Sequence, residues 1–252
     1  MDISLCHHLA GWAAVAAIAC APNQVLAESV SGQGTWETTL LPRDLNRDGT
    51  ADAFFDTALN ITWLADANAG AGSGFDDGSS TEDGTMNLPS ALAWAASLNV
   101  NGTGWRLPST SERPVGCSFD LPLPTCGYGV DPASSALAHL YYVTLGNRSS
   151  IDPFTGSPVS GGGLTNTGPF VNLQPSNYWS STPAAIDASY SWMFNMSSGY
   201  QTIYRGSDWH AWAIHDGDLA PVPEPKAAAL TLVGLALVIA VNRRRTLRRR
   251  HA

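Results

Sequence analysis

The sequence predicts an α+β fold, two helices among antiparallel strands, followed by one C-terminal transmembrane helix. Three observations predict it. Two segments, 87–99 and 134–144, repeat apolar residues at helical spacing. Short β-branched and aromatic runs are separated by Gly, Asn and Ser, as in strands joined by turns. Finally, fifteen apolar or small residues, 227–241, precede a burst of arginines. With 252 residues, 44% of them hydrophobic and only 13% charged, the chain suits one loop-rich extracellular domain with appendages.

The elements follow from the N-terminus. Leu9 to Ala21 is apolar and Val25-Leu26-Ala27 offers small residues to a signal peptidase, so 1–27 reads as a signal peptide and export is expected. The n-region departs from the ideal in lacking Lys and Arg, and lipidation at Cys20, in a poor lipobox, is the alternative. Cleavage after Ala27 removes Cys6 and Cys20, leaving Cys117 and Cys126, an even pair that suggests a disulfide in an exported domain. Free thiols or a metal site are the weaker readings, since no nearby histidines complete a tetrahedral shell.

Residues 44–52, DLNRDGTAD, place oxygens at Asp44, Asn46, Asp48 and Asp52 around Gly49, the spacing of a calcium loop, although position twelve is Phe55 where a Glu is wanted. The match is partial: calcium is the candidate cofactor, and an Asx-rich surface turn with no ion is the other reading. FFDTALNITWLADAN (54–68) predicts two strands turning near Leu59-Asn60, and 69–85 a loop. Asn87 caps a helix with Pro89 in its first turn and Leu88, Ala91, Leu92, Ala95 and Leu98 on its periodic positions; Trp94 belongs to the core. GWRLPS (104–109) leads through a Pro- and Cys-containing loop to a second helix with Leu137, Leu140 and Tyr141 on one side. YSWMFNM (190–196) and YQTIY (200–204) predict a hairpin through Ser197-Ser198-Gly199. WHAWAIHDGD (209–218) alternates like one strand with a small-residue face at Ala211 and Ala213.

Beyond the ectodomain (28–219) come a linker (220–226), the transmembrane helix (227–242) and an Arg-rich cytoplasmic tail (243–252). Residues 227–241 would span roughly 22 Å as a helix, against a hydrocarbon core of roughly 30 Å, and snorkelling by Lys226 and Arg243 covers the deficit. The arginines place the tail inside and the N-terminus outside the inner membrane.

Pro223-Glu224-Pro225, the short apolar helix and the arginine cluster together resemble the PEP-CTERM sorting signal. That resemblance implies processing by an exosortase at or near the Pro-Glu-Pro motif, transient anchoring and final display at the cell surface or in the matrix. "FFDTALNITWLADAN", "LAWAASLNVNGTGWRLPS", "LAHLYYVTLGN", "GPFVNLQ", "NYWSST" and "AWAIHDGD", taken as an ordered set, resemble the Lcl C-terminal-like domain, a family of unknown function similar to C-type-lectin-like folds with curved antiparallel strands. Pro114 and the Cys117–Cys126 loop depart from that pattern and imply a local insertion.

Residues 28–220 hold six arginines (Arg43, Arg47, Arg106, Arg113, Arg148, Arg205) against nineteen acids, so nucleic acid is not an expected partner. The sequence contains no nucleophile elbow, Walker loop, dinucleotide fingerprint or H-E-x-x-H motif, and a non-catalytic protein is expected. His210 and His215, an odd number apart in a strand, would face opposite ways and so would not share a metal. Aromatics crowd the final third, where Trp179 and Trp209 with Asn177, Asn195 and Asp208 are the candidate ligand-binding residues for exopolysaccharide or another surface partner. The Glu-Pro-Asn sugar motif of calcium-dependent lectins is missing. The alternatives are a glycan-modifying enzyme with Asp208 and Asp216 as acid and base, and a passive calcium-stabilised surface domain.

Overall fold

The computed structural model describes residues 27–116 and 126–219. Residues 1–26 of the expected signal peptide, Cys117, Pro223, Glu224, Pro225, the expected transmembrane segment 227–242 and residues 243–252 lie outside the described residues. Among the described residues no helix is long and apolar enough to cross a membrane.

The fold is α+β and mostly antiparallel. A short helix α1 (Trp36–Thr39) leads into β1 (Leu40–Arg43), then β2 (Ala53–Asp56) and β3 (Ile61–Leu64). The β2–β3 turn is at the expected place, with Asn60 in the left-handed region at φ 54°. After β4 (Thr85–Met86) comes α2 (Leu88–Ser97), whose cap Asn87 accepts a hydrogen bond from the Ser90 amide. It ends two residues earlier than the periodicity predicts and buries Ala91, Trp94 and Ala95, while Leu92 is exposed.

The second helix is less regular than its spacing suggests. A 3₁₀ turn (Pro132–Ser134), a single α-turn α3 (Ala136–His139) and a π-turn (Leu140–Thr144) follow one another, the last closed by the Leu145 amide donating to the Leu140 carbonyl at 2.8 Å. Leu137, Leu140 and Tyr141 are buried as expected. Next come β5 (Asn177–Ala184), β6 (Asp187–Asn195) and β7 (Tyr200–Tyr204). The β6–β7 turn needs Gly199: its φ is 76°, and a Cβ there would meet the Tyr142 hydroxyl at 2.5 Å.

The predicted strand 209–218 is instead two, β8 (Trp209–His210) and β9 (Ile214–Asp216), in different sheets. One sheet runs β1-β2-β3-β9 and the other β4-β8-β5-β6-β7, with β5 and β8 parallel and the remaining pairs antiparallel. Trp212 explains the break. Between the sheets its ring meets Trp63 at 4.9 Å, Phe170 at 4.7 Å and Tyr178 at 5.9 Å, and its indole donates to the Leu64 carbonyl at 2.8 Å. Residues 211–213 therefore cross from one sheet to the other, and Ala211 and Ala213 are buried rather than forming one small face.

Past β9 the chain ties itself back to the first sheet. The Gly217 amide donates to the Asn60 carbonyl, Thr62 Oγ1 donates to the Gly217 carbonyl at 2.7 Å, and the Leu219 amide donates to Thr62 Oγ1. Asp218 forms a two-pronged ion pair with Arg43 of β1, at 2.6 and 2.9 Å.

Candidate functional site

On one face of the five-stranded sheet, β5 and β8 bring Trp179 within 6.4 Å of Trp209, and Tyr204 at the end of β7 meets Trp209 at 5.7 Å, nearly edge-on. Trp179 is buried and donates its indole N–H to the Met86 carbonyl at 2.9 Å. Trp209 is half-buried, and its indole N–H finds no acceptor among the described residues. Tyr204, by contrast, is 45% exposed. An open cleft of about 630 Å³ lies here, between the first turn of α2 and residues 205–207, with Ser90, Trp179, Ser189, Tyr204 and Arg205 in its lining. Arg205 holds its guanidinium 4.8 Å over the ring of Tyr190. On the α2 side Asp77 is already engaged, accepting from the Asn87 amide, Asn87 Nδ2 and Ser90 Oγ.

The expected ligand-binding residues divide around this cleft. Trp179 lines it, and Trp209 and the exposed Asp208 adjoin it. Asn177 and Asn195 do not. They pair with each other at 2.6 Å across β5 and β6, and Asn195 Oδ1 accepts from Ser197 and Ser198 in the β6–β7 turn. That turn is at the Tyr200 end of β7, about 13 Å along the strand from Tyr204. Composition alone does not tell the two ends of a strand apart, so these five residues fall in two places. Tyr204 ends an alternating run and is followed by a basic residue, which is the signal for a rim position; Arg205 was missed.

A second cleft, of about 690 Å³, opens beside β9 and is lined by Arg106, Thr110, Ser111, Ser134 and Asp216. Its charges neutralise each other: Arg106 grips Asp216 with two nitrogens, at 2.5 and 3.3 Å, and that hydrogen bond holds the Asp216 carboxyl below its usual range. Asp218 is held low in the same way by Arg43. Asp208 precedes β8 in one sheet while Asp216 ends β9 in the other and lines this second cleft, where an ionised Asp216 is a poor proton donor.

At 44–52 the four expected calcium ligands gather at one exposed turn, but their oxygens serve the turn itself. Asp44 accepts from the amides of Arg47, Asp48 and Gly49, Asn46 from Asp48, Asp48 from Thr50, and Asp52 from Leu45 and Asn46. Among the described residues no group of three or more His, Cys, Asp or Glu is arranged to hold a metal ion. Cys126 is buried and disulfide-bonded.

The histidines are structural in their contacts. His210 Nδ1 meets Asn68 Oδ1 at 3.0 Å, and burial pushes its pKa below 6.5. His139 meets Thr144 Oγ1 at 3.3 Å and is lowered for the same reason. His215, in the other sheet from His210, packs against Trp105. Compared with known protein families, with curated proteins and with solved structures, the chain has no match in any of the three.

Proposed function

We propose that this is an exported, exosortase-processed protein of the cell surface or extracellular matrix, whose C-type-lectin-like ectodomain is a non-catalytic binding module for exopolysaccharide. The observation that carries the reading is the open cleft with the exposed ring of Tyr204 on its wall and hydroxyls of Ser90 and Ser189 around it. An exposed aromatic face stacks on the C–H face of a sugar ring, while hydroxyls and a cation take the sugar's polar groups. The enzymatic alternative has less support, because Asp216 is engaged by Arg106 and only Asp208 adjoins the cleft. Calcium, if it acts, would brace the acidic turn at 44–52, away from the cleft lining.

Calorimetric titration of the full-length chain with the producing organism's own exopolysaccharide tests the proposal. Saturable binding is expected, weakened about three- to tenfold by Tyr204→Ala, the range set by one aromatic contact. Repeating the titration with calcium and then with chelator separates a bracing ion from a ligand-bridging one. Absence of saturable binding in both conditions would refute the glycan reading.

A further inference from the structure

We propose that the cleft selects acidic saccharides, with a sugar carboxylate on Arg205 and a ring face on Tyr204. This rests on the glycan-binding reading above and narrows it to a substrate class.

The argument starts from what arginines do in this molecule. Arg43 and Arg106 each meet a carboxylate with two nitrogens, on Asp218 and Asp216, the planar fork-to-fork arrangement that guanidinium and carboxylate favour. Arg205 is different. It is exposed, its guanidinium is stacked over Tyr190, and among the described residues it makes no ion pair. Stacking limits the rotamers of a long side chain while leaving the nitrogens at the edge of its plane able to donate, so less entropy is lost when a carboxylate arrives.

The surroundings decide which anion fits. Among the described residues Arg205 is the one charged residue in the cleft lining, and it is next in sequence to Tyr204, the exposed ring. A charge beside a flat apolar face matches a uronic-acid unit, which carries a carboxylate on a pyranose ring. Among the described residues no neighbouring acid, the exposed Asp208 included, forms an ion pair with Arg205. Asp77 is spent on the start of α2, and Asp187 accepts chiefly from the Ser189 amide, with Arg205 a minor influence on its lowered pKa. The body as a whole is acidic, so a long polyanion is repelled at a distance; a short oligomer is the appropriate probe.

The test uses the full-length chain and a tetramer of galacturonic acid, alongside the same tetramer fully methyl-esterified, which keeps the rings and removes the charges. The free acid is expected to bind at least tenfold more tightly than the ester. Arg205→Gln should erase that preference by weakening the free acid far more than the ester, without changing the melting temperature, and Arg205→Lys should keep only part of it. Failure of the free acid to bind, equal affinity for acid and ester, or a preference that survives Arg205→Gln would each overturn the inference. If the producing organism's polysaccharide still binds in those cases, the glycan-binding reading stands without acid selection; if it does not, both fall.

Discussion

Aromatic side chains do two different jobs in this protein, and the seam between the sheets and the rim of the cleft make the contrast plain. At the seam Trp63, Phe170, Tyr178 and Trp212 are buried and meet ring to ring at 4.7 to 6.5 Å. At the rim Tyr204 and Tyr190 keep exposed surface, and the partner of Tyr190 is a cation. Both sets are aromatic. What differs is how many sides of the ring the protein occupies, and therefore whether the ring's free energy is spent on folding or is left over for a ligand.

The largest effect expected from breaking this contrast is at the seam. Trp212→Ala should cost about 3–5 kcal/mol, because it empties a space shared by both sheets and orphans the Leu64 carbonyl; urea unfolding measures it, and a loss below 1 kcal/mol would mean the sheets do not depend on the crossing. A smaller effect comes from His210, which lies on Tyr178 at 5.3 Å. Its folded pKa is lowered, so the unfolded chain binds the proton more readily, and stability should fall as pH drops through 6.5 towards the folded value. Melting temperatures between pH 7.5 and 5 should decline in wild type and flatten in His210→Gln, provided His139, lowered in the same direction, is replaced too. The smallest effect on stability belongs to the rim: Tyr204→Ala should stay within about 0.5 kcal/mol of wild type, although it weakens binding. A larger loss would show that Tyr204 belongs to the core.

Local features were the legible ones. Asn87 as cap, the turn at Asn60 and the hairpin at Gly199 each depend on a few adjacent residues whose chemistry is visible in the chain. The break at 211–213 was not legible, because alternation of Ala and Trp has the same appearance in a strand and in a crossing buried on all sides. The π-turn likewise keeps the helical apolar spacing while changing its hydrogen bonds. Of the candidate ligand-binding residues, Trp179, Asp208 and Trp209 lie at or beside the cleft, whereas Asn177 and Asn195 lie at the other end of the strands, a separation that composition does not reveal. Arg205 escaped because its meaning lies in a comparison with Arg43 and Arg106, and their carboxylate partners are far away in sequence.

The ties after β9 have a mechanical meaning. A strand at a sheet edge that is pulled from its end can peel away one hydrogen bond at a time. Here any tension on the residues following Leu219 first meets the Thr62 hydroxyl, the Asn60 carbonyl and the clip between Asp218 and Arg43. The load is divided between β1 and β3 before it reaches β9, much as a cable clamp spares the joint behind it, so a pull applied past Leu219 is resisted before the edge strand can peel.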